Sequence, residues 1–210
     1  AKTAIANGFR AIKVKVGAQA VPRDLERLRA VRDRVGPEIE VRADANGAWS
    51  LAQARQFFDG AAVLGLSYVE QPLPVAQTWD HGELERDHTR IGLDESLAAH
   101  SVESLLEADI ADVYVLKPMA VGGIDVARGL VGRIRRAGAN AVVSSIFESV
   151  VGRTAAVHLA ASLQDLPPSG LATAARFESD LGVDPAPVRD GAIDPPMGPG
   201  LGVGEVTVRG

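Results

Sequence analysis

The amino-acid sequence predicts an α/β protein built as a TIM-like (β/α) barrel. Short runs rich in β-branched residues alternate with amphipathic helical segments along most of the chain. A polar residue closes each run, and these residues recur at steps of about 23 to 29 residues, the length of one βα unit. No glycine-rich dinucleotide-binding turn follows the first run, so a barrel is favoured over an open doubly wound sheet.

The repeat defines seven predicted parallel strands joined by right-handed crossovers. The strands are expected at residues 11–16, 39–44, 66–71, 90–95, 111–117, 140–145 and 169–173. Helices are expected at residues 23–35, 50–64, 100–108, 123–137 and 149–163, with residues 1–8 as the end of another. Residues 74–90 are polar and weakly periodic, so the helix expected there is the least defined.

The chain is predicted to divide into a barrel domain, residues 1–175, and a C-terminal tail, residues 176–210. The tail holds five of the 12 prolines, which favours an extended segment that packs on the barrel or on a capping domain absent from this sequence. One terminal strand is expected within it, at residues 204–209.

Composition disfavours several classes of function and site. A net charge of −5 and a pI near 5.4 do not suit a nucleic-acid-binding protein, which needs a basic face. The chain has no cysteine, so disulfides and thiolate metal sites are excluded and a cytoplasmic location is expected. No run of 18 apolar residues and no basic-then-apolar leader is present, so neither a membrane span nor a signal peptide is expected.

The first predicted strand carries two lysines on one face. Because side chains alternate along a strand, Lys13 and Lys15 point together while Val14 points the opposite way. Lysine accounts for only four of the 22 basic residues, which favours a role for the titratable amine at these positions. The alternative is an edge strand with a solvated face.

Acidic residues close the next three predicted strands. Asp44, Glu70 and Asp94 are expected to converge at the carboxyl-terminal mouth of the barrel, where their charges would repel one another. A divalent cation resolves that repulsion, and carboxylate oxygens select a hard ion such as Mg²⁺, with Mn²⁺ as the alternative. The four histidines have no paired ligand spacing, so zinc is not expected.

Lys117 closes the fifth predicted strand, so lysines flank the three acids on both sides. A carboxylate substrate bound at the metal would then have its α-carbon between two proton carriers. Lys13 and the metal would favour the free amine of Lys15, which makes Lys15 the expected base. The alternative is a barrel whose mouth carries only structural salt bridges.

Five motifs together resemble a known family. "KVKVG", "DANGAW", "VEQP", "LDES" and "LKPMAVGG" resemble the barrel domain of the enolase superfamily, in its muconate-lactonizing branch. Within that branch, "VVSSIFESVVG" and "SGLATAARFESD" are most similar to the o-succinylbenzoate synthases of menaquinone biosynthesis. The resemblance covers roughly residues 1–175.

The resemblance implies a Mg²⁺-dependent carbon–oxygen lyase that acts on a small carboxylate substrate. It implies that Lys15 removes the α-proton and then helps hydroxide leave, while Lys117 stabilises the anionic intermediate. The residues that it implies around them are Asp44, Glu70 and Asp94 as metal ligands, Asn46 and Glu95 as their supports, and Ser144, Ser145 and Gly170 at the succinyl carboxylate. The serines are equally well explained as strand-end caps.

The sequence leaves open other enzymatic activities and the question of whether the barrel is complete. N-succinylamino acid racemases and cycloisomerases share the lysines and the metal site, whereas the acidic pair typical of dipeptide epimerases is replaced here by "GLATAA". Family members also carry an N-terminal capping domain and a first barrel strand that this sequence does not contain. Either a segment is missing from the sequence, or an open barrel exposes its edges, associates into oligomers and acts as a non-catalytic module.

Overall fold

The computed structural model describes residues 1–178 and 180–206. Its centre is one parallel sheet of six strands that follow one another in chain order, as a half-barrel does. The strands are β1 Ala11–Lys15, β2 Glu40–Asp44, β3 Tyr68–Glu70, β4 Arg90–Leu93, β5 Val113–Leu116 and β6 Asn140–Val143. The helices are α1 Lys2–Ala6, α2 Val21–Val35, α3 Leu51–Ala61, α4 Ser96–Ala99, α5 Val102–Glu107, α6 Pro118–Val121, α7 Ile124–Arg136 and α8 Val150–Ala161.

Local signals account for the long helices that cover the sheet. Ser50 and Gln53 form a reciprocal capping box at the start of α3. Pro22 lies in the first turn of α2, where the missing N–H costs nothing, and Gly36 ends that helix with a positive φ. In α7, Asp125 lies in the first turn and three arginines lie in the last, which complements the helix dipole.

The outer face of the sheet holds the main core. Strand residues such as Val41, Ile91 and Leu93 are fully buried in one apolar cluster that also contains Leu28 of α2 and Phe57 of α3. Burial of apolar side chains at roughly 25 cal/mol per Å² is the main force that holds the helices on this face.

The inner face carries a smaller apolar cluster of Tyr68, Val113, Val115 and Val142. Gly92 makes room for the Tyr68 ring, because a Cβ at this position would lie 2.8 Å from the ring carbon Cδ2. The cluster gives the inner face a packed floor below the carboxyl ends of the strands.

Two predicted elements differ from the structure. Residues 169–173 do not form a seventh strand, since Gly170 makes only an isolated parallel bridge with Ser144. The helix predicted within 74–90 is a 3₁₀ segment, Val75–Glu83, with non-helical backbone at Gln77. Side chains hold it in this form: the Thr78 hydroxyl donates to the Val75 carbonyl.

The tail runs back along α8 and reaches the start of β1. The buried Arg153 of α8 donates to the carbonyl oxygens of Leu171 and Ala186 and forms an ion pair with Asp184. Farther along the tail, the backbone of Gly191 packs so closely on Gly8 that a Cβ at Gly191 would lie 2.2 Å from the Gly8 oxygen.

The terminal strand predicted at 204–209 is not seen in residues 204–206, and its remaining residues lie outside the described ones. The division into a domain at 1–175 and a tail at 176–210 stays a prediction. Within residues 1–178 and 180–206, no helix is both long and apolar enough to cross a membrane.

The hydrogen bonds of the buried His81 ring allow a test of the 3₁₀ segment. Its Nδ1–H donates to the Thr78 carbonyl and its Nε2 accepts from the Leu73 N–H, so the buried ring is neutral. Burial lowers the pKa of His81 despite the opposing effects of the Thr78 carbonyl and the Asp80 charge. The stability that the neutral ring contributes is therefore present above the unfolded pKa and lost as pH falls through the folded one.

We expect the free energy of unfolding to fall between pH 7 and pH 5 by less in His81→Gln than in the wild type. One proton taken up on unfolding gives a slope of at most about 1.4 kcal/mol per pH unit. Urea unfolding at both pH values measures the difference, with the exposed His88→Gln as the matched control. An equal fall in the wild type and His81→Gln would contradict the assignment.

Candidate active site

Three carboxylates end neighbouring strands at the same edge of the sheet. Asp44 pairs in register with Glu70 across β2 and β3, and Glu70 pairs with Gly92 of β4, two residues before Asp94. All three side chains are almost fully buried. The three acids therefore lie at one edge of the sheet, and their role as metal ligands stays a prediction.

The two lysines of β1 reach these acids from one side. Lys13 Nζ lies 2.8 Å from Glu70 Oε1 and 2.8 Å from Asp44 Oδ2. Lys15 Nζ lies 2.7 Å from Asp44 Oδ2 and also donates to Asn46 Oδ1. The side chain of Lys15 is 64% exposed and that of Lys13 is 35% exposed, so Lys15 is the more open to a ligand.

Lys117 reaches the acids from the other side. It directly follows β5 and precedes Pro118 of α6, and its ammonium group forms an ion pair with Asp94 Oδ2. The order of charges across the edge is Lys15, Asp44, Glu70, Asp94 and Lys117. This is the order that the strand ends predicted.

One ammonium group does not neutralise two buried acids equally. Burial raises the pKa of Glu70 to about 7, with the charges of Asp44 and Asp94 adding to the rise and Lys13 opposing it. Burial also acts to raise the pKa of Asp44, but the charges and hydrogen bonds of Lys13 and Lys15 outweigh it and the pKa is lowered. Burial alone would lower the pKa of Lys13, whereas Glu70 and Asp44 raise it well above its usual range. Lys13 is thus held as a cation between the two acids.

Asn46 and Glu95 link the loop that follows Asp44 to the one that follows Asp94. Asn46, which has a left-handed backbone, donates from Nδ2 to Glu95 Oε1 at 2.8 Å, and its own N–H donates to Asp44 Oδ1 at 3.1 Å. Because Asn46 Oδ1 also accepts from Lys15, this residue orients the exposed lysine.

The residues predicted at the succinyl carboxylate lie together at the end of β6. The hydroxyls of Ser144 and Ser145 both donate to the Gly170 carbonyl, at 3.2 and 3.4 Å, and Ser145 Oγ lies 2.9 Å from Thr173 Oγ1. Gly170 allows this approach, because a Cβ there would lie 2.5 Å from Ser144 Oγ. These bonds are those of strand-end caps, and substrate contact by the three residues stays a prediction.

Comparison with known proteins shows the family to which this constellation belongs. A family profile described as "Enolase C-terminal domain-like" matches residues 1–205. The chain belongs to this family. Its place is in the muconate-lactonizing-enzyme-like branch of the enolase superfamily, as its motifs predicted.

The relatives of the chain in this family are enzymes. An o-succinylbenzoate synthase from Thermobifida fusca is 37% identical over 190 residues, which cover 88% of this chain and 58% of the relative. An N-succinylamino acid racemase from Thermus thermophilus is 34% identical over 199 residues, 93% of this chain and 53% of the relative. The structure of muconate cycloisomerase from Pseudomonas fluorescens superimposes with a TM-score of 0.91 at 25% identity, over 97% of this chain and 58% of that protein.

The chain therefore spans a little over half the length of the relatives that it matches. The enolase C-terminal domain is a TIM-like barrel, and the half-barrel described above agrees with it. Members of the enolase superfamily use a lysine or histidine base together with Mg²⁺.

The donor set of this chain fits a hard divalent cation. Asp44, Glu70 and Asp94 supply only oxygen atoms, from neighbouring strand ends, and all three side chains are almost fully buried. In the part of the chain that the structure describes, no three histidine, aspartate or glutamate side chains form a ready metal-binding group. Lysine ammonium groups contact the acids instead.

Glu148 is a candidate site residue that the strand-end pattern does not indicate. It lies in the loop between β6 and α8, it is 7% exposed, and neither carboxylate oxygen has a hydrogen-bond partner among the described residues. Burial raises its pKa, and the charge of Lys117 opposes the rise. In the sequence, Glu148 is an acid four residues after Ser144, between the strand predicted at 140–145 and the helix predicted at 149–163.

A separate cavity of about 510 Å³ lies away from the acids. It is bounded by the start of β1, by residues 168–172 and by tail residues 188–193. None of the lysines and carboxylates described above lines it. Its volume therefore says nothing about the chemistry of the charged cluster.

Lys13 is more buried than Lys15, so substitution of each lysine should change the stability of the chain by a different amount. We expect Lys13→Met to lower the free energy of unfolding by about 2 kcal/mol, because two buried carboxylates lose a shared ammonium group. Lys15→Met should cost about 1 kcal/mol or less, because Lys15 is largely solvated. Urea unfolding in EDTA measures both. Equal losses in the two variants would contradict the described burial of the Lys13 ion pairs.

Proposed function

We propose that this chain carries the barrel of a Mg²⁺-dependent o-succinylbenzoate synthase. The substrate would be 2-succinyl-6-hydroxy-2,4-cyclohexadiene-1-carboxylate, which loses water to give o-succinylbenzoate. The observation that carries the proposal is the pair of lysines, Lys15 and Lys117, on opposite flanks of three buried carboxylates. The 37% identity to an o-succinylbenzoate synthase supports the choice of reaction.

In this proposal Asp44, Glu70 and Asp94 hold Mg²⁺, with Mn²⁺ as a substitute. When bound, the metal would draw electron density from the substrate carboxylate and so make the α-proton more acidic. Asn46 and Glu95 keep Asp44 and the loop after β4 in place through their mutual hydrogen bond.

Lys15 acts as the base. Its neutral amine takes the α-proton and leaves the C–H electron pair on the substrate as an anion. That pair then forms the new double bond as the C–OH bond breaks. The ammonium form of Lys15 then returns the proton to the departing hydroxide, so that water is the only other product. Lys15 suits this task because it is the most exposed of the three lysines and is oriented by Asn46.

Lys117 and Lys13 act through their charge. Lys117 faces the site from the far flank and stabilises the anionic intermediate. Lys13 stays protonated between Glu70 and Asp44, and so offsets negative charge without exchanging protons. Ser144, Ser145 and the Gly170 backbone would receive the succinyl carboxylate beyond Lys117.

N-succinylamino acid racemisation is the second candidate. Lysines on opposite flanks of one carbon can remove a proton on one face and deliver another on the opposite face. The Thermus thermophilus racemase, at 34% identity, supports this candidate. In D₂O, a racemase would introduce deuterium at the α-carbon of an N-succinylamino acid, whereas a dedicated dehydratase would not.

We expect the Mg²⁺-dependent loss of the substrate diene absorbance to fall by about 10³-fold or more in Lys15→Ala, because the base is lost. Lys2→Ala is the matched control, since Lys2 is an exposed lysine of α1 that, among the described residues, forms no ion pair with the acids of the site. Circular dichroism and Mg²⁺ calorimetry should show the fold and metal affinity of Lys15→Ala unchanged.

Two outcomes would overturn the proposal. A folded wild-type chain that binds Mg²⁺ but leaves both the diene and N-succinylamino acids unchanged has neither activity. Undiminished turnover in Lys15→Ala would remove Lys15 from the role of base.

A further inference from the structure

We propose that Gln71 is the positioning residue that sets the spacing of Asp44, Glu70 and Asp94. It touches no reacting group in the proposed mechanism, and it is not a metal ligand. The proposal rests on the proposed function, because it assigns Gln71 to the Mg²⁺ site of that function. Three independent features of the residue support it.

The first feature is the backbone of Gln71. It directly follows Glu70, it is fully buried, and it has a φ of +42°, which is unfavourable for a residue with a side chain. Such a conformation persists only where the surrounding structure enforces it. Here the turn brings the Gln71 side chain back toward the end of β4.

The second feature is the pair of backbone hydrogen bonds. The Gln71 N–H donates to the Gly92 carbonyl of β4 at 2.7 Å, and the Gln71 carbonyl accepts from the Gly47 N–H at 2.7 Å. Gly47 belongs to the loop that follows Asp44. The backbone of one residue thus joins the ends of β2, β3 and β4.

The third feature is the side-chain amide, whose hydrogen-bonding capacity is fully used. Oε1 accepts from the N–H groups of Asp94 and Ser96, both at 3.1 Å. Nε2 donates to the Leu73 carbonyl at 2.9 Å and to Ser96 Oγ at 2.8 Å. The amide therefore fixes the backbone of Asp94 relative to the strand that carries Glu70.

These bonds connect Gln71 to the loops of all three acids without contact with a carboxylate oxygen. The network continues from Ser96 Oγ to Thr78 Oγ1 at 2.8 Å, which ties it to the 3₁₀ segment. A neutral amide adds no charge to the cluster. Its effect on a metal must come through the positions of the acids, as expected of a residue behind the ligands.

The test compares Mg²⁺ affinities by calorimetry with MgCl₂ and the full 210-residue chain. Gln71→Met preserves side-chain length and backbone strain and removes only the amide. We expect it to weaken Mg²⁺ binding by about 10- to 100-fold, the range for residues that orient metal ligands. Ser96→Ala, which removes one acceptor of the Gln71 amide, should weaken it less, by about 3-fold.

Gln53→Met is the matched control. It removes the capping-box glutamine of α3, so it lowers the melting temperature without touching the acids, and its Mg²⁺ affinity should equal that of the wild type. A loss of affinity in Gln53→Met equal to that in Gln71→Met would overturn the proposal, because general destabilisation would then explain both.

The remaining outcomes separate the two proposals. If the wild type binds Mg²⁺ and Gln71→Met binds it with equal affinity, the role of Gln71 is overturned and the proposed function stays intact. A wild-type chain without Mg²⁺ affinity would overturn the proposed function together with this inference. If Gln71→Met does not fold, Ser96→Ala decides, and an unchanged affinity in that variant counts against Gln71.

Discussion

Repulsion between three carboxylates on neighbouring strands is the constraint on which the arrangement of the site depends. Asp44 and Glu70 lie side by side in register, and Asp94 follows two residues beyond the next paired position. Buried charges interact more strongly than solvated ones, so such a group persists only with positive charge close by. Lysines supply that charge from both flanks, while burial raises the pKa of Glu70 to about 7.

The parallel sheet places these charged residues close together. Strands that run in one direction bring their carboxyl ends to one edge, and the alternation of side chains brings Lys13, Lys15 and Asp44 to one face. An apolar cluster lies beneath them, with Tyr68 packed over Gly92. The same geometry gives a site open on one side, with an exposed amine, Lys15, at its rim. That combination suits proton removal from a bound carboxylate ligand, which is the chemistry proposed here.

Much of the fold could be predicted because the signal repeats. Strand β1 and helices such as α7 lie within about two residues of their predicted bounds, since alternation and helical periodicity are local properties. The 3₁₀ form of Val75–Glu83 could not be predicted, because it depends on tertiary hydrogen bonds of Thr78 and His81. Residues 169–173 carry the pattern of a strand but make a single bridge, because pairing depends on a neighbouring edge that the pattern does not show.

The residues of the charged site also divide into those that the sequence pattern predicts and those that it does not. Strand ends are visible in the sequence, so the lysines and acids could be placed, whereas Glu148 lies in a loop whose course no periodicity encodes. Gln71 falls at the end of the strand predicted at 66–71, but the turn that it makes there depends on contacts with β4 that the pattern does not show. A crystal structure of the chain grown in saturating MgCl₂ would test the metal site directly. We expect density for one Mg²⁺ ion in contact with carboxylate oxygens of Asp44, Glu70 and Asp94. Density for water alone between these residues, with the lysine ion pairs unchanged, would contradict it.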